Sequence, residues 1–274
     1  ELNLLDKFLF DEAMDDPENV KTMLDIILSQ NTNLKQSPQT EKEQRTSTDN
    51  RQIRLDVYAI DEDDVIYEVE AQKENTHNLP KRSRLYQGII DSKLLPPGVV
   101  DFNLLNEVLI VLIMPFDLFG YGLYRYTFQM KCQEIPELKL DDGATRIFLN
   151  TKGKHPESVS PELIELLKYM EHSTDEVSEA CESKRIQEMH RRVCQIRASE
   201  KTEVKYMQSW EERIMIKQEG IAEGRIEGEK ALLKSLIEKK MAKKYSAEQI
   251  SAMLEVDVSE VENIMKEIQN EKYL

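Results

Sequence analysis

The chain has 274 residues, 40% hydrophobic and 32% charged, with a formal net charge of −15, a size that allows one sizeable core plus an appendage. No apolar run approaches the roughly 18–20 residues of a membrane span, the longest being Val108 to Met114, which excludes membrane insertion. The three cysteines, Cys132, Cys181 and Cys194, are an odd set that describes no disulfide framework and suits a reducing cytoplasm, and the acidic total argues against nucleic-acid binding driven by the average field while leaving local basic patches open.

The chain opens at Glu1 with neither a Met nor a signal-like apolar region, as a chain would whose true N-terminus is missing. An apolar cluster follows (Leu4, Leu5, Phe8, Leu9, Phe10). Asp16-Pro17 then starts a helix, Asp16 as its cap and Pro17 in its first turn, with Val20, Met23, Leu24, Ile27 and Leu28 on one face. Residues 31–50 are polar beyond Leu34 and read as a loop or a poor edge strand.

Arg54 to Gln72 reads as a β-hairpin around the acidic turn Asp61 to Asp64. Strict alternation points Ile53, Leu55, Val57 and Ala59 one way and Arg54, Asp56 and Tyr58 the other. On the second arm Val65, Tyr67, Val69 and Ala71 oppose Ile66, Glu68, Glu70 and Gln72. A helix begins near Leu79-Pro80 and carries Lys81, Arg82, Arg84 and Lys93 against Asp91, a local charge of +3 in an acidic chain. Val108 to Met114 reads as a fully buried central strand. Tyr124 to Met130 and Thr145 to Leu149 read as further strands, separated by the turn signal Asp141-Asp142-Gly143.

From about Ser160 the character is helical. Residues 184–217, with nine bases against five acids, read as one charged, protruding helix, and Gly220, Gly224 and Gly228 fall on one helix face. Ser246-Ala-Glu-Gln249 and Ser259-Glu-Val-Glu262 are two capping-box patterns that open a terminal helix pair of helix-turn-helix type. Its apolar positions are Ile250, Met253, Leu254, Val256, Val258, Val261 and Ile264. Glu260, Glu262 and Glu267 on its second helix would repel phosphate, so a structural or protein-binding role fits it better than DNA reading.

Acids on one face of a hairpin are ordinarily a solvated sheet face. Here Asp56 on one strand and Glu70 on its neighbour precede a basic helix, which is what metal-dependent phosphodiester hydrolysis needs. A bound Mg²⁺ takes oxygen ligands, activates water and offsets charge on the transition state. Asp56, Glu70 and the Ala71 carbonyl are candidate ligands, and Mn²⁺ can substitute. Gln72, on the same face, can orient water or a phosphate oxygen. Arg82 and Arg84, with Lys81, supply counter-charge, and Tyr86 and Gln87 add neutral hydrogen bonds. Separately, His190 and Cys194 are spaced i, i+4 with Cys181 upstream, a spacing that falls short of a four-ligand structural zinc site.

The series Ile-Arg-Leu-Asp56-Val-Tyr-Ala, Ile-Tyr-Glu-Val-Glu70-Ala-Gln72 and Leu-Pro-Lys-Arg-Ser-Arg84-Leu-Tyr86-Gln87-Gly-Ile-Ile-Asp91 resembles the recombination-promoting nuclease and transposase branch of the PD-(D/E)xK superfamily. Met-Pro-Phe116-Asp117-Leu-Phe119-Gly120, Tyr126-Thr-Phe128, Leu140-Asp-Asp-Gly143 with Ile147-Phe-Leu-Asn150, and the spaced glycines of the tail extend the resemblance over nearly the whole chain. It implies an α/β fold, a mixed sheet flanked by helices of restriction-endonuclease type, with a helical C-terminal extension. The divisions expected are a nuclease core over 1–158, a helical extension over 159–244 and the helix pair over 245–274. It further implies a DNA endonuclease in recombination or mobile-element biology, with Asp56 and Glu70 as metal ligands and Gln72 where the superfamily usually has Lys. The acid that some relatives place on the first helix is left open among Glu12, Glu18 and Asp25. Homo-oligomerisation through the C-terminal helices is a further expectation.

Overall fold

The computed structural model describes residues 2–44 and 53–271. In chain order the elements are helices α1 (Lys7–Met14) and α2 (Pro17–Leu28), strands β1 (Gln39–Gln44), β2 (Ile53–Ile60) and β3 (Ile66–Ala71), and helix α3 (Leu79–Asp91). Strands β4 (Val108–Met114), β5 (Arg125–Phe128) and β6 (Ala144–Asn150) follow. Helices α4 (Pro161–Glu171), α5 (Asp175–Glu179), α6 (Lys184–Arg197), α7 (Glu200–Met241), α8 (Ala247–Leu254) and α9 (Val258–Glu271) complete the chain. The chain separates into two compact units, 1–206 and 207–274.

In the first unit the six strands form one mixed sheet in the order β1-β2-β3-β4-β6-β5. The β1–β2–β3 meander is antiparallel, β3–β4 and β4–β6 are parallel, and β5 returns antiparallel at the far edge. A parallel β3–β4 pair requires a crossover, and α3 supplies it. β4 is the central strand that its apolar run predicts. Val111 and Ile113 join one core with α1, α2, α4 and α6, while Val108, Ile110, Leu112 and Met114 join the other, with Leu79, Ile89 and Ile90 of α3. Helices on both faces explain why β4 has no polar position to alternate.

The poor edge strand expected in 31–50 forms over Gln39–Gln44 as β1, paired with β2; residues 45–52 of the hairpin approach lie outside the described residues. Its lack of apolar residues is tolerable because it is the sheet's outer strand.

Alternation along β2 breaks where the sequence reading continues it. Ile53 and Leu55 pack in the same core as Tyr58, whereas Val57 and Ala59 pack in the opposite one. The side-chain faces therefore exchange between Leu55 and Val57, around Asp56. The paired register is interrupted at the same place, since Thr40↔Val57 and Lys42↔Leu55 are partners but Glu41 and Asp56 are not, and Glu41 has φ 49°. A left-handed residue in the neighbouring strand introduces a local twist that alternation does not foresee.

The motif Met114 to Gly120 ends β4 in a loop knotted by one carboxylate. Asp117 Oδ1 accepts from the N–H of Phe119 (3.1 Å) and Gly120 (2.9 Å) and from Tyr126 Oη (2.7 Å), and Oδ2 accepts from the N–H of Gly122 (2.6 Å). Phe119 packs on Tyr126, Phe128 and Phe148. Gly153 lies under Tyr124, where an added Cβ would collide with the ring.

Residues 184–217 are not one helix. α6 ends at Arg197, Ala198 and Ser199 break the chain, and α7 begins at Glu200. Nor does α6 protrude: Ile186, Met189 and Val193 enter the first core. In the second unit α8 has the capping box read from Ser246 and Gln249. The second box is not formed. Val258 opens α9, and Asp257 instead accepts from the N–H (2.8 Å) and hydroxyl (2.6 Å) of Ser259. The core of this unit is Ile250, Val261, Ile268 and Ile237, the last from α7, so three helices rather than two bury it, while Met253 and Val258 are exposed. Among the described residues no helix is long and apolar enough to cross a membrane.

Candidate active site

The candidate site lies where the β2–β3 ladder opens. Pairing between these strands runs from Ile60↔Ile66 to Val57↔Val69. On β3 the N–H groups of Ile66 and Gln72 face the β4 side, bonding Glu107 O and Ile113 O at 2.8 Å each. The intervening odd positions therefore face β2. Beyond Val69 the backbone of Ala71 comes near the Asp56 carboxyl and is among the groups that oppose the rise burial imposes on it. The break in β2 and the end of the ladder together seat Asp56 against β3.

Three acids are buried here: Asp56 (5% exposed), Glu70 (8%) and Glu68 (0%). Glu68, which as a hairpin residue would face water by default, has both carboxylate oxygens buried without a hydrogen-bond partner among the described residues, as is Oε2 of Glu70. Two cations reach the cluster from different elements. Lys7 of α1 pairs with Asp56 and with Asp11 Oδ2 (3.2 Å). Arg82 of α3 pairs through Nη2 with Glu70 Oε1 (2.5 Å) and with Gln72 Oε1.

Burial pushes the Glu70 carboxyl up to about 7, with Asp56 adding to the rise and Arg82 opposing it. Burial likewise lifts Asp56 against the opposing pull of Lys7 and Arg82, and lifts Glu68 well above the ordinary range, reinforced by Glu70 and Asp56. Asp11 rises to about 8, again from burial first, with Lys7 opposing and Asp56 and Glu41 adding. A set of acids that resists ionisation together, with several oxygens unsatisfied, is the arrangement a divalent cation would relieve. The donors are all oxygen, which suits Mg²⁺. Asp56 and Glu70, with Glu68 beside them, are the residues that fit it.

The other sequence-derived residues divide. Ala71 places its backbone beside Asp56. Gln72 is half-buried, its Nε2 donating to Glu74 O (2.5 Å). Tyr86 is half-buried, with the Arg82 guanidinium 5.8 Å from its ring centre; burial first and the nearby Glu70 second hold its hydroxyl in the neutral form. Gln87 is buried and donates to Asp91 Oδ1 (2.9 Å). Arg84 is exposed and makes no hydrogen bond or ion pair among the described residues. A cavity of about 390 Å³ is lined by Ile53, Arg54, Asn78, Lys81, Arg82 and Tyr86 among others, so two site residues, Arg82 and Tyr86, share it with two further cations.

Lys7 and Asp11 carry no signal in the hairpin motifs. Their i, i+4 spacing on a short helix beside an apolar face is the only local hint. Of the first-helix acids considered, Glu12 pairs with Lys205 (2.6 Å), Asp25 accepts from the Thr32 N–H (2.5 Å), and Glu18 is exposed. Asp11 is the acid that shares a lysine with Asp56.

No family model, no curated protein and no solved structure matched this chain.

Proposed function

We propose that the protein is a Mg²⁺-dependent endonuclease of the PD-(D/E)xK type that hydrolyses DNA phosphodiester bonds, acting in recombination or mobile-element biology as the motif resemblance implies. The observation that carries this reading is the buried acidic cluster, with both oxygens of Glu68 unpartnered beside Asp56 and Glu70. A structural salt-bridge network would leave no such oxygens, because an unsatisfied buried polar group costs about 1–3 kcal/mol.

Asp56 and Glu70 would hold the ion. When bound, Mg²⁺ supplies a water of lowered pKa and a counter-charge for the phosphoryl oxygens. The chain's own groups do the rest. Arg82, released from Glu70, can engage a non-bridging phosphate oxygen, and its fork geometry suits that task. Arg54 and Lys81 line the adjoining cavity, where the backbone phosphates of a strand would run. Gln72 offers an amide to orient the attacking water. Lys7 supplies, from α1, the ammonium that Gln72 does not, and it opposes the rise that burial imposes on Asp56.

The test is nicking of supercoiled DNA with Mg²⁺ or Mn²⁺ by the purified chain. Asp56→Asn and Asp56→Ala are expected to abolish it; a variant that cuts as fast as the parent at matched purity overturns the assignment.

The hydrogen bonds that tie Gln72 to Glu74 O and to Arg82 favour a second reading, a nuclease fold with weak catalysis that binds nucleic acid or protein. That reading expects no Mn²⁺ binding at millimolar metal and no strand cleavage, whereas saturable Mn²⁺ binding lost in Glu70→Ala favours the enzyme.

A further inference from the structure

A second cluster lies away from the acidic site, among α4, α5 and α6. His190 and Cys194 sit one turn apart on α6, and Asp175 is the first residue of α5, where Thr174 caps the helix by accepting from the Val177 N–H (3.3 Å). His190 Nε2 is 2.7 Å from Asp175 Oδ1 and 3.4 Å from Cys194 Sγ, and Sγ is 3.9 Å from the same Oδ1. All three donor atoms lie within 4.8 Å of one another.

Asp175 Oδ1 sits on Nε2, whereas Cys194 Sγ stands over the ring face, 3.4 Å from Nε2 and 3.9 Å from Nδ1. A Cys-His-Asp catalytic relay needs the thiol and the carboxylate on opposite ring nitrogens. Here the other nitrogen, Nδ1, is 3.0 Å from Tyr169 Oη, inside the fold, and the Tyr169 ring meets the imidazole edge-on at 5.5 Å. Hydrogen bonding accounts for two of these contacts. With Nε2–H given to Asp175, nothing remains on that nitrogen for the sulfur. A cation on the Nε2 lone pair would draw in Asp175 Oδ1 and, with a turn of its side chain off the ring face, Cys194 Sγ.

The geometry points to a Zn²⁺ site formed by Asp175, His190 and Cys194, with a fourth position left to water or an exchangeable ligand. Zinc–nitrogen and zinc–oxygen bonds near 2.0 Å and a zinc–sulfur bond near 2.3 Å put tetrahedral ligands about 3.3–3.5 Å apart, an arrangement reached by a small opening of the Asp175 side chain from 2.7 Å and a turn of the Cys194 side chain from the ring face toward the Nε2 lone pair. That side chain is 85% exposed and free to move. The mixed nitrogen, sulfur and oxygen set selects Zn²⁺ over Mg²⁺. Tyr169 is the partner that metal-bound imidazoles require on their second nitrogen: as a neutral phenol it can accept from Nδ1–H, which fixes the tautomer with Nε2 facing the metal. Burial first, and the Asp175 carboxylate second, push the Cys194 thiol up, so it is the ion that would draw out the thiolate. Arg197, a cation that acts on Cys194, is engaged elsewhere, on the carbonyls of Ser173 (2.8 Å) and Leu2 (2.6 Å). Cys181 is not a fourth ligand; its Sγ donates to Val177 O at 3.2 Å.

The test is a Co²⁺ titration of the full chain, read by the thiolate-to-cobalt charge-transfer band and tetrahedral d–d absorption. These signatures distinguish this site from the all-oxygen acidic cluster, which can also take Co²⁺ but has no sulfur. One equivalent that carries the charge-transfer band is expected to bind, to be displaced by Zn²⁺ and not by Mg²⁺, and to keep its band unchanged in Cys132→Ala and Asp56→Asn. Losing a second-shell partner alone costs 10–100-fold in affinity, so Cys194→Ser is expected to remove the charge-transfer band and weaken binding at least about 100-fold. Asp175→Asn, at an exposed position that leaves the fold intact, is expected to weaken it about tenfold or more with the band retained. Absence of the band in the parent chain, or a band that survives Cys194→Ser, overturns the assignment and leaves a hydrogen-bonded cluster only.

Discussion

Replacing Glu68 by Leu tests the acidic cluster at its most buried member. Glu68 stands opposite Tyr58 on β2 and Ile110 on β4, and it is fully enclosed with neither oxygen paired among the described residues. Leu suits the face, which Ile66 and Ile110 share. An unsatisfied buried polar group costs roughly 1–3 kcal/mol by mutational measures, so Glu68→Leu is expected to stabilise the metal-free protein by about that amount. The same change removes charge from the ion's surroundings. For the parent, Mg²⁺ at 100 times its dissociation constant adds about 2.7 kcal/mol by mass action, and the variant is expected to gain clearly less. Urea unfolding with and without Mg²⁺ reads both quantities from midpoints at a shared slope. A metal-free variant less stable than the parent by more than about 1 kcal/mol, or an equal Mg²⁺ increment in both proteins, would show that Glu68 is a paired structural acid and would remove the main support for the metal reading.

Two further outcomes are expected. Because folding raises Glu70 to about 7 and Asp11 to about 8, the folded chain binds more protons than the unfolded one. The benefit of these groups is complete below their ordinary carboxylate range, near pH 4, and is lost as pH rises through 7 to 8. Metal-free urea midpoints should therefore fall from pH 5 to 8, less steeply in Glu70→Gln; a parent midpoint that rises over this window contradicts the burial argument. Asp117→Ala removes the acceptor of three backbone N–H groups and of Tyr126 Oη and should cost roughly 2–4 kcal/mol, given about 1 kcal/mol for an ordinary bond and more for a charged acceptor. Thermal denaturation at neutral pH measures it, and a loss under about 0.5 kcal/mol would mean that the loop holds without its knot.

The sequence is most informative where burial is two-sided or a cap is local. The unbroken apolar run Val108 to Met114 identifies the central strand because a strand covered by helices on both faces has no polar residue to offer. Asp16-Pro17 and Ser246 to Gln249 announce their helices because each satisfies backbone N–H groups within three residues of itself. Three things escape that reading. β1 is an edge strand without apolar residues, so its pairing with β2 leaves no hydrophobic pattern. The exchange of faces at Asp56 is set by a left-handed residue on a neighbouring strand, Glu41, which alternation along β2 cannot register. The partner of Asp56 is on α1, 49 residues away in sequence, and only the tertiary fold joins Lys7 and Asp11 to the hairpin.

That last feature bears on the weakest position of the motif. Gln72 is neutral, so along the strand alone the three acids have no cation of their own. In the folded chain the positive charge comes from the layers on either side: Lys7 from α1, whose helix packs in the first core, and Arg82 from α3, whose helix packs in the second. Burial lowers the ammonium of Lys7, but Asp56 and Asp11 outweigh it and hold the group above its ordinary value, so Lys7 remains charged while the carboxyls around it resist ionisation. Such a charge is available to a developing oxyanion without titrating near neutral pH. Under the proposed nuclease reading, the positive charge at the site therefore does not depend on the side chain at position 72 alone. Lys7→Gln should lower the rate of DNA cleavage while leaving Mg²⁺-induced stabilisation in place, whereas a ligand substitution such as Glu70→Ala should remove both; if Lys7→Gln cuts at the parental rate, the ammonium acts only as a counter-ion for Asp56.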